Sequence, residues 1–334
     1  MRKVAGYQDG LAVLLGLTFG VVMFDRGAIN FLAPFIVTDL KLSNAQLGIA
    51  ASVVSLTWAL AGCLIGRASD GSGQRKPYLI LAVIAFSLCS IASGFAGSFV
   101  MLVAFRLLMG LGDGVVPPMT TALLFDASSA HRRGLNFGIY AFFTGLVGGF
   151  LAPPIIVALA TQFNWRIAFF LAGIPGLLAA AAIALFVRET SVPRALAVDA
   201  SRRMPPSRLR DVLRGRNIRL CALSASLLLA FQIVMMVFLP LFLVRERHLS
   251  PSDMGIVMSA VGAAMLAGGL ALPALSDRFG RRTVLAASAV LGATLPLTCL
   301  YWTGHLAGLA ALCAVAGFAG ALPHIAIGIV PAES

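Results

Sequence analysis

The chain alternates long apolar runs with short polar connections. Ten runs are long enough to cross a bilayer as helices, at about 9–37, 46–66, 77–98, 100–125, 135–160, 165–187, 218–244, 252–275, 283–303 and 306–330. About 20 apolar residues span the ~30 Å hydrocarbon core as a helix, whereas barrel strands alternate over about 10. The pattern therefore predicts an all-α membrane protein. One connection stands apart. Residues 188–217 are polar, rich in arginine and carry Pro193, Pro205 and Pro206. That composition predicts a linker. It divides the chain into 1–187, with six runs, and 218–334, with four.

The two parts repeat one another. Residues 42–75 (LSNAQLGIAASVVSLTWALAGCLIGRASDGSGQR) align without a gap to 249–282 (LSPSDMGIVMSAVGAAMLAGGLALPALSDRFGRR), at an offset of 207 residues. Leu42/Leu249, Ser43/Ser250, Gly48/Gly255, Ser52/Ser259, Asp70/Asp277, Gly73/Gly280 and Arg75/Arg282 match. The second run and its following loop thus recur as the eighth run and its loop. Parallel repeats of this kind are a transporter architecture, with substrate bound near the membrane midplane between the halves.

Composition narrows the classes. The 334 residues are 59% hydrophobic and 11% charged, against roughly 25% charged in a soluble domain. The net charge of +12 raises the question of nucleic acid. Its placement answers it, because the basic residues sit in short loops. With the N-terminus inside, the inner segments hold Arg2, Lys3, Arg67, Arg75, Lys76, Arg132, Arg133, Arg278, Arg281, Arg282 and nine arginines in 188–219. The outer loops hold Lys41, Arg166, Arg245 and Arg247. This bias predicts a cytoplasmic N-terminus, linker and C-terminus, in a multi-pass protein of the cell (inner) membrane. Nucleic acid is not an expected partner. Arg2 and Lys3 precede an apolar run with no clear cleavage site, so a retained first span is expected. The five cysteines all fall in apolar runs without CxxC spacing, which predicts buried free thiols. No metal-ligand cluster or nucleophile–base constellation is visible. GLGDG (Gly110–Gly114) lacks the Lys-Ser/Thr of a phosphate loop. No enzyme, cofactor or metal is therefore expected.

Against this background four charges at membrane depth stand out. Asp25 and Arg26 lie in the first run, and Arg106 and Asp113 in the fourth. An intramembrane charge costs a few kcal/mol to about 10 or more, so it marks function by default. Arg106 and Asp113 are seven residues apart and share a helix face, about 10 Å apart along the axis. The expected roles are anion ligand for Arg106 and proton site for Asp113; a structural network is the alternative. Consecutive Asp25 and Arg26 point about 100° apart. Arg26 shares a face with Asn30, one turn on, so this pair is expected to meet substrate. Asp25 is expected to turn toward a neighbouring helix of the first half. Among apolar groups it is a candidate proton carrier, or it only neutralises an arginine. The planar fork of arginine suits a carboxylate or phosphate.

The loops GRASDGSGQRK (Gly66–Lys76) and PALSDRFGRR (Pro273–Arg282) resemble the signature loop of the major facilitator superfamily. That signature is Gly, three residues, Asp-Arg, one residue, Gly and two basic residues. Gly71 and Gln74 depart from it in the first copy and Pro273 in the second. FDRGAINFLAP, RLLMGLGDGVVPP (Arg106–Pro118), FDASSAHRRG (Phe125–Gly134) and WRIAF (Trp165–Phe169) resemble the anion:cation symporter group within it, with Asp113 where that group has Glu. The resemblance covers nearly the whole chain. It implies a major facilitator-type fold of two pseudo-repeated helical halves. It also implies transport of a small organic anion, such as a sugar acid or other carboxylate, with protons. In this reading Gly66, Asp70, Gly73, Arg75, Asp277, Arg278, Gly280, Arg281 and Arg282 form a latch that controls inward opening. Members have twelve helices, so a chain ending after the tenth is expected to lack two, which makes a truncated, non-transporting remnant one alternative. A proton–drug antiporter is the other. GGFLAPPI (Gly148–Ile155) loosely resembles the glycine–proline motif of such antiporters, but two arginines favour an anion.

Weaker candidates complete the expected site. Tyr140, Gln232 and His324 are polar groups in apolar runs that could meet substrate, or could be satisfied by packing and hydrogen bonds within the bundle. The expected partners are an organic anion, protons and the lipid bilayer, with the protein a monomer.

Overall fold

A computed structural model describes residues 2–72, 74–189 and 216–320. The described residues are helical and divide into two compact units, 1–203 and 204–334.

The first unit holds α1 (Arg2–Asp39), α2 (Asn44–Ser72), α3 (Lys76–Ser93), α4 (Phe99–Asp113), α5 (Val116–Ala127), α6 (Arg133–Gly145), α7 (Ala152–Gln162) and α8 (Trp165–Phe186). Two of the expected single helices are interrupted. The fourth run breaks at Gly114–Val115 into α4 and α5. Pro117 and Pro118 follow at once, and a proline in a helix can neither donate to the residue four back nor avoid crowding its carbonyl. Those carbonyls belong to Asp113 and Gly114. The fifth run widens into a π-helical turn at Leu146–Leu151 between α6 and α7. Pro153 and Pro154 sit just beyond it, and the wider turn makes room for their rings.

α1 packs on α6 and α8, α3 on α4 and α8, and α2 on α4. Leu15, Val22, Leu79, Phe86, Met109 and Leu123 form the centre of the core. The contact of α2 with α4 is close. A Cβ at Gly114 would lie 2.2 Å from the Trp58 carbonyl oxygen, a backbone atom that cannot step aside. Gly114→Ala is therefore expected to destabilise the unit by about 1–3 kcal/mol through overpacking. Gly138→Ala, where a Cβ meets nothing within 4 Å, is expected to leave it unchanged or slightly more stable. Thermal unfolding of the purified variants checks the contrast.

The second unit holds α9 (Arg216–Arg245), α10 (Pro251–Phe279), α11 (Arg281–Tyr301) and α12 (Leu306–Ala319). The repeat read from sequence has a structural counterpart. The Ser43 hydroxyl accepts from the Gln46 N–H at 3.2 Å, and Ser250 does the same for Asp253 at 3.1 Å. Such caps satisfy donors that the first turn leaves free. Two residues before each cap, Lys41 (φ 52°) and His248 (φ 53°) adopt the left-handed conformation. These pairs keep the 207-residue offset, so the local turn entering α2 recurs entering α10.

Among the described residues, eight stretches are long and apolar enough to cross a membrane: Gly6–Asp39, Asn44–Gly66, Lys76–Ser93, Phe99–Ala127, Ala130–Gln162, Trp165–Phe186, Ser226–Arg245 and Pro251–Leu272. Ala286–Tyr301 and Leu306–Ala319 are apolar but shorter. Eight of the expected ten runs are thus full-length spans among the described residues, and the tenth, 306–330, is described only as far as residue 320. Leu56, Leu60 and Leu64 form an exposed stripe along α2, chemically matched to hydrocarbon rather than water.

Candidate functional site

Asp25 and Arg26 lie mid-way along α1 and diverge as the helical turn dictates. Arg26 reaches α2 and α4. Its Nη1 donates to Asp113 Oδ2 at 3.2 Å and its Nη2 to Ser55 Oγ at 3.1 Å. Its guanidinium carbon stands 5.3 Å from the centre of the Trp58 ring. Arg26 keeps 25% of its side-chain surface exposed, while Asp113 has none. Asp113 is the last residue of α4, so the break before α5 fixes its position.

Asp25 turns the other way. It has no exposed surface and accepts a 2.6 Å hydrogen bond from Ser90 of α3. Arg106 is buried too. Its guanidinium lies 4.7 Å from the Phe169 ring of α8, and its Nη1 approaches Met109 Sδ at 3.6 Å. It is within electrostatic range of both Asp25 and Asp113. The four charges therefore form one network of two acids and two bases, crossed between α1 and α4. Arg26 is its exposed member, and Arg106 stands behind it without surface for a ligand. Asp25 Oδ2, Asp113 Oδ1, Arg106 Nε and Arg106 Nη2 have no hydrogen-bond partner among the described residues. So much unspent capacity suits a network that exchanges partners.

Asn30 is partly buried one turn beyond Arg26, and its Oδ1 has no hydrogen-bond partner among the described residues. The Nε1 of Trp58 is in the same position. Trp58 and Ser55 had no place in the sequence reading. Their one signal is a three-residue spacing that puts them on a common face of α2. The Tyr140 hydroxyl is already engaged with Thr120 Oγ1 at 3.0 Å, and its ring stacks on Phe19. It serves the packing of α1, α5 and α6 rather than an open surface. Gln232 lies in the second unit, beside a cavity of about 60 Å³ also lined by Phe231, Met235, Met236, Met265 and Ser288. His324 lies outside the described residues.

The signature loops are placed as follows. Gly66 and Asp70 fall within α2, and Gly73 lies outside the described residues. The Arg75 side chain pairs with Asp126 at the end of α5. The reason is local: Arg75 precedes the first turn of α3, which packs against α5. Glu189, beyond α8, accepts the backbone N–H groups of Arg75 and Lys76 at 3.0 Å each, and so caps α3 with a negative charge. Asp126 and Glu189 were not singled out in the sequence, although Asp126 stands in the FDASSAHRRG motif. In the second copy Asp277 and Arg278 end α10 and Arg281 and Arg282 begin α11. Gly280 between them has φ 87°, a conformation that favours glycine.

The fold and this network can be set beside known proteins. The family model of the Major Facilitator Superfamily matches residues 15–333. The chain belongs to that superfamily. It is thus a multi-pass membrane transporter and not an enzyme. A hexuronate transporter of Bacillus subtilis (strain 168) is 31% identical over 340 residues, covering 96% of this chain and 77% of the relative. The multidrug resistance protein MdtL of Salmonella dublin is 28% identical over 301 residues, covering 88% of this chain and 74% of the relative. Among solved structures, a bacterial homolog of the human lysosomal transporter Spinster, inward-facing and unoccupied, matches with a TM-score of 0.76. It is 22% identical, over 95% of this chain and 74% of that one, and the likeness concerns the fold alone.

Proposed function

We propose that this superfamily member carries a small organic anion, a sugar acid or other carboxylate, in symport with protons by alternating access. The membrane is a cell (inner) membrane, with the N-terminus on the cytoplasmic side. The observation that carries the reading is the state of Arg26: a quarter-exposed guanidinium at membrane depth, held by one buried carboxylate. An incoming carboxylate competes with Asp113 for the Arg26 Nη1 donor and with Ser55 Oγ for the Nη2 donor. A proton on Asp113 ends that competition and frees the fork for the substrate. With both acids ionised, two Arg and two Asp sum to zero. With both protonated, Arg26 and Arg106 are uncompensated and favour an anion. In this account Arg106 attracts the anion from behind the site without touching it, and Asp25 is a second proton site. Asp70, Arg75, Asp277, Arg278, Arg281 and Arg282 serve as the latch at the helix ends, with Asp126 as partner of Arg75.

The likeness to MdtL supports a second reading, a proton–drug antiporter. The two readings separate by charge. A cationic drug would meet Arg26 as a like charge, so the anion is the better fit. Counterflow in proteoliposomes decides between them. Labelled hexuronate or another carboxylate is expected to exchange against its unlabelled form, and lipophilic cations are expected neither to exchange nor to compete. Exchange of cations alone would replace the anion reading.

A further inference from the structure

We propose that Cys299 and Cys313 are a redox-convertible pair, which a hydroperoxide joins as a disulfide that staples α11 to α12. The inference concerns the second unit alone and does not depend on the anion reading. Both residues are free thiols, with 2% and 0% of their surface exposed. Their Sγ atoms stand 3.7 Å apart, one thiol facing the other across the two helices. A disulfide needs about 2.05 Å, so the bond forms by a closure of less than about 2 Å. Cys299 lies about one turn before the end of α11 at Tyr301, and Cys313 about two turns into α12 from Leu306. The short turn between the helices is itself held. The Arg247 guanidinium donates to the Leu300 carbonyl at 3.4 Å and to the Trp302 carbonyl, and the Trp302 indole donates to the His305 carbonyl at 3.2 Å. These bonds fix the corner on which the register of the two cysteines depends. With the N-terminus on the cytoplasmic side, as proposed above, this corner faces the outer side, where disulfides persist. The chemistry balances. One thiol sulfur attacks the peroxide; the O–O bond breaks, an S–OH bond forms and a water leaves. The second sulfur attacks that sulfenic acid; the S–S bond forms, the S–O bond breaks and another water leaves. Each water carries off one thiol proton, and the electron pair lost by the two sulfurs reduces the peroxide. Hydrogen peroxide is small and uncharged, and the local opening of helix ends admits it.

The test uses the full chain in lipid nanodiscs with Cys63→Ser, Cys89→Ser and Cys221→Ser, so that the pair carries the remaining thiols. After reduction with dithiothreitol and its removal, maleimide in denaturing detergent is expected to label two thiols per chain. Hydrogen peroxide is expected to lower that count to none, in a chain that stays a monomer on a non-reducing gel and is about 2 Da lighter, and dithiothreitol to restore both thiols. The chain with all five cysteines is treated in the same way and its peptides are mapped. A peptide pair joined through Cys299 and Cys313 is expected, and this arm carries the test if the triple variant does not fold. Two thiols that persist after peroxide, or that gain oxygen as sulfinic acids without joining, overturn the pair and leave Cys299 and Cys313 as packing residues. Linkage of either cysteine to a second chain, or to another cysteine of its own chain, overturns it as well.

Discussion

Arg26→Ala abolishes binding of the transported anion, by more than about 100-fold in Kd. The size follows from what is removed. A charge-assisted pair in a desolvated site contributes several kcal/mol when one partner is truncated, and about 1.4 kcal/mol is a factor of ten. The variant needs a companion, because Asp113 has no exposed surface and its one ion-pair partner among the described residues is Arg26. Removing one member of a buried pair costs about 3–5 kcal/mol, so Arg26→Ala alone could lose binding by unfolding. The double variant Arg26→Ala, Asp113→Asn removes both charges. It is expected to fold with near-native thermal stability and still not bind. Arg26→Lys separates charge from shape: it keeps the cation and loses the fork, with a loss of about tenfold expected. Direct binding of a carboxylate that the parent protein transports reads all three. Undiminished binding in the double variant would remove Arg26 from the site.

How far the site was legible in the sequence depends on the residue. The eight full-length spans and the repeat follow from apolar run length and the 207-residue offset. These are one-dimensional signals imposed by the bilayer. The divergence of Asp25 and Arg26 is likewise a matter of helical turn. The partner choices are not. Arg106 and Asp113 share a face of one helix, yet Asp113 pairs with Arg26 while Arg106 lies against Phe169. Which residues meet depends on how α1, α4 and α8 cross, and no spacing encodes a crossing. The same limit hid Asp126 and Glu189, which meet Arg75 from 51 and 114 residues away. The breaks at Gly114 and at Leu146–Leu151 were legible in principle, since each precedes a Pro-Pro pair.

Asp113→Asn leaves substrate exchange intact and removes its drive by protons. Asparagine keeps the size and hydrogen-bonding shape of aspartate but carries no charge and takes no proton. Arg26 then has no anionic competitor and stays available to the substrate in every state. Counterflow, which needs only binding and the conformational cycle, is expected at about the parental rate. Accumulation against a gradient is expected to fall to equilibrium, because the coupling that made the loaded state depend on the proton is gone. Asp113→Glu restores a titratable carboxyl at the same position and is expected to restore accumulation. Asp25→Asn supplies the contrast. Asp25 bonds Ser90, and its tie to the network runs through Arg106 rather than through Arg26. If Asp25 alone carries the coupled proton, accumulation survives in Asp113→Asn and is lost in Asp25→Asn. Proton-driven uptake at the parental level in Asp113→Asn therefore refutes the exchange between Asp113 and the substrate at Arg26. Loss of uptake in both variants, with counterflow retained in both, assigns the proton to the network of four charges rather than to one carboxylate.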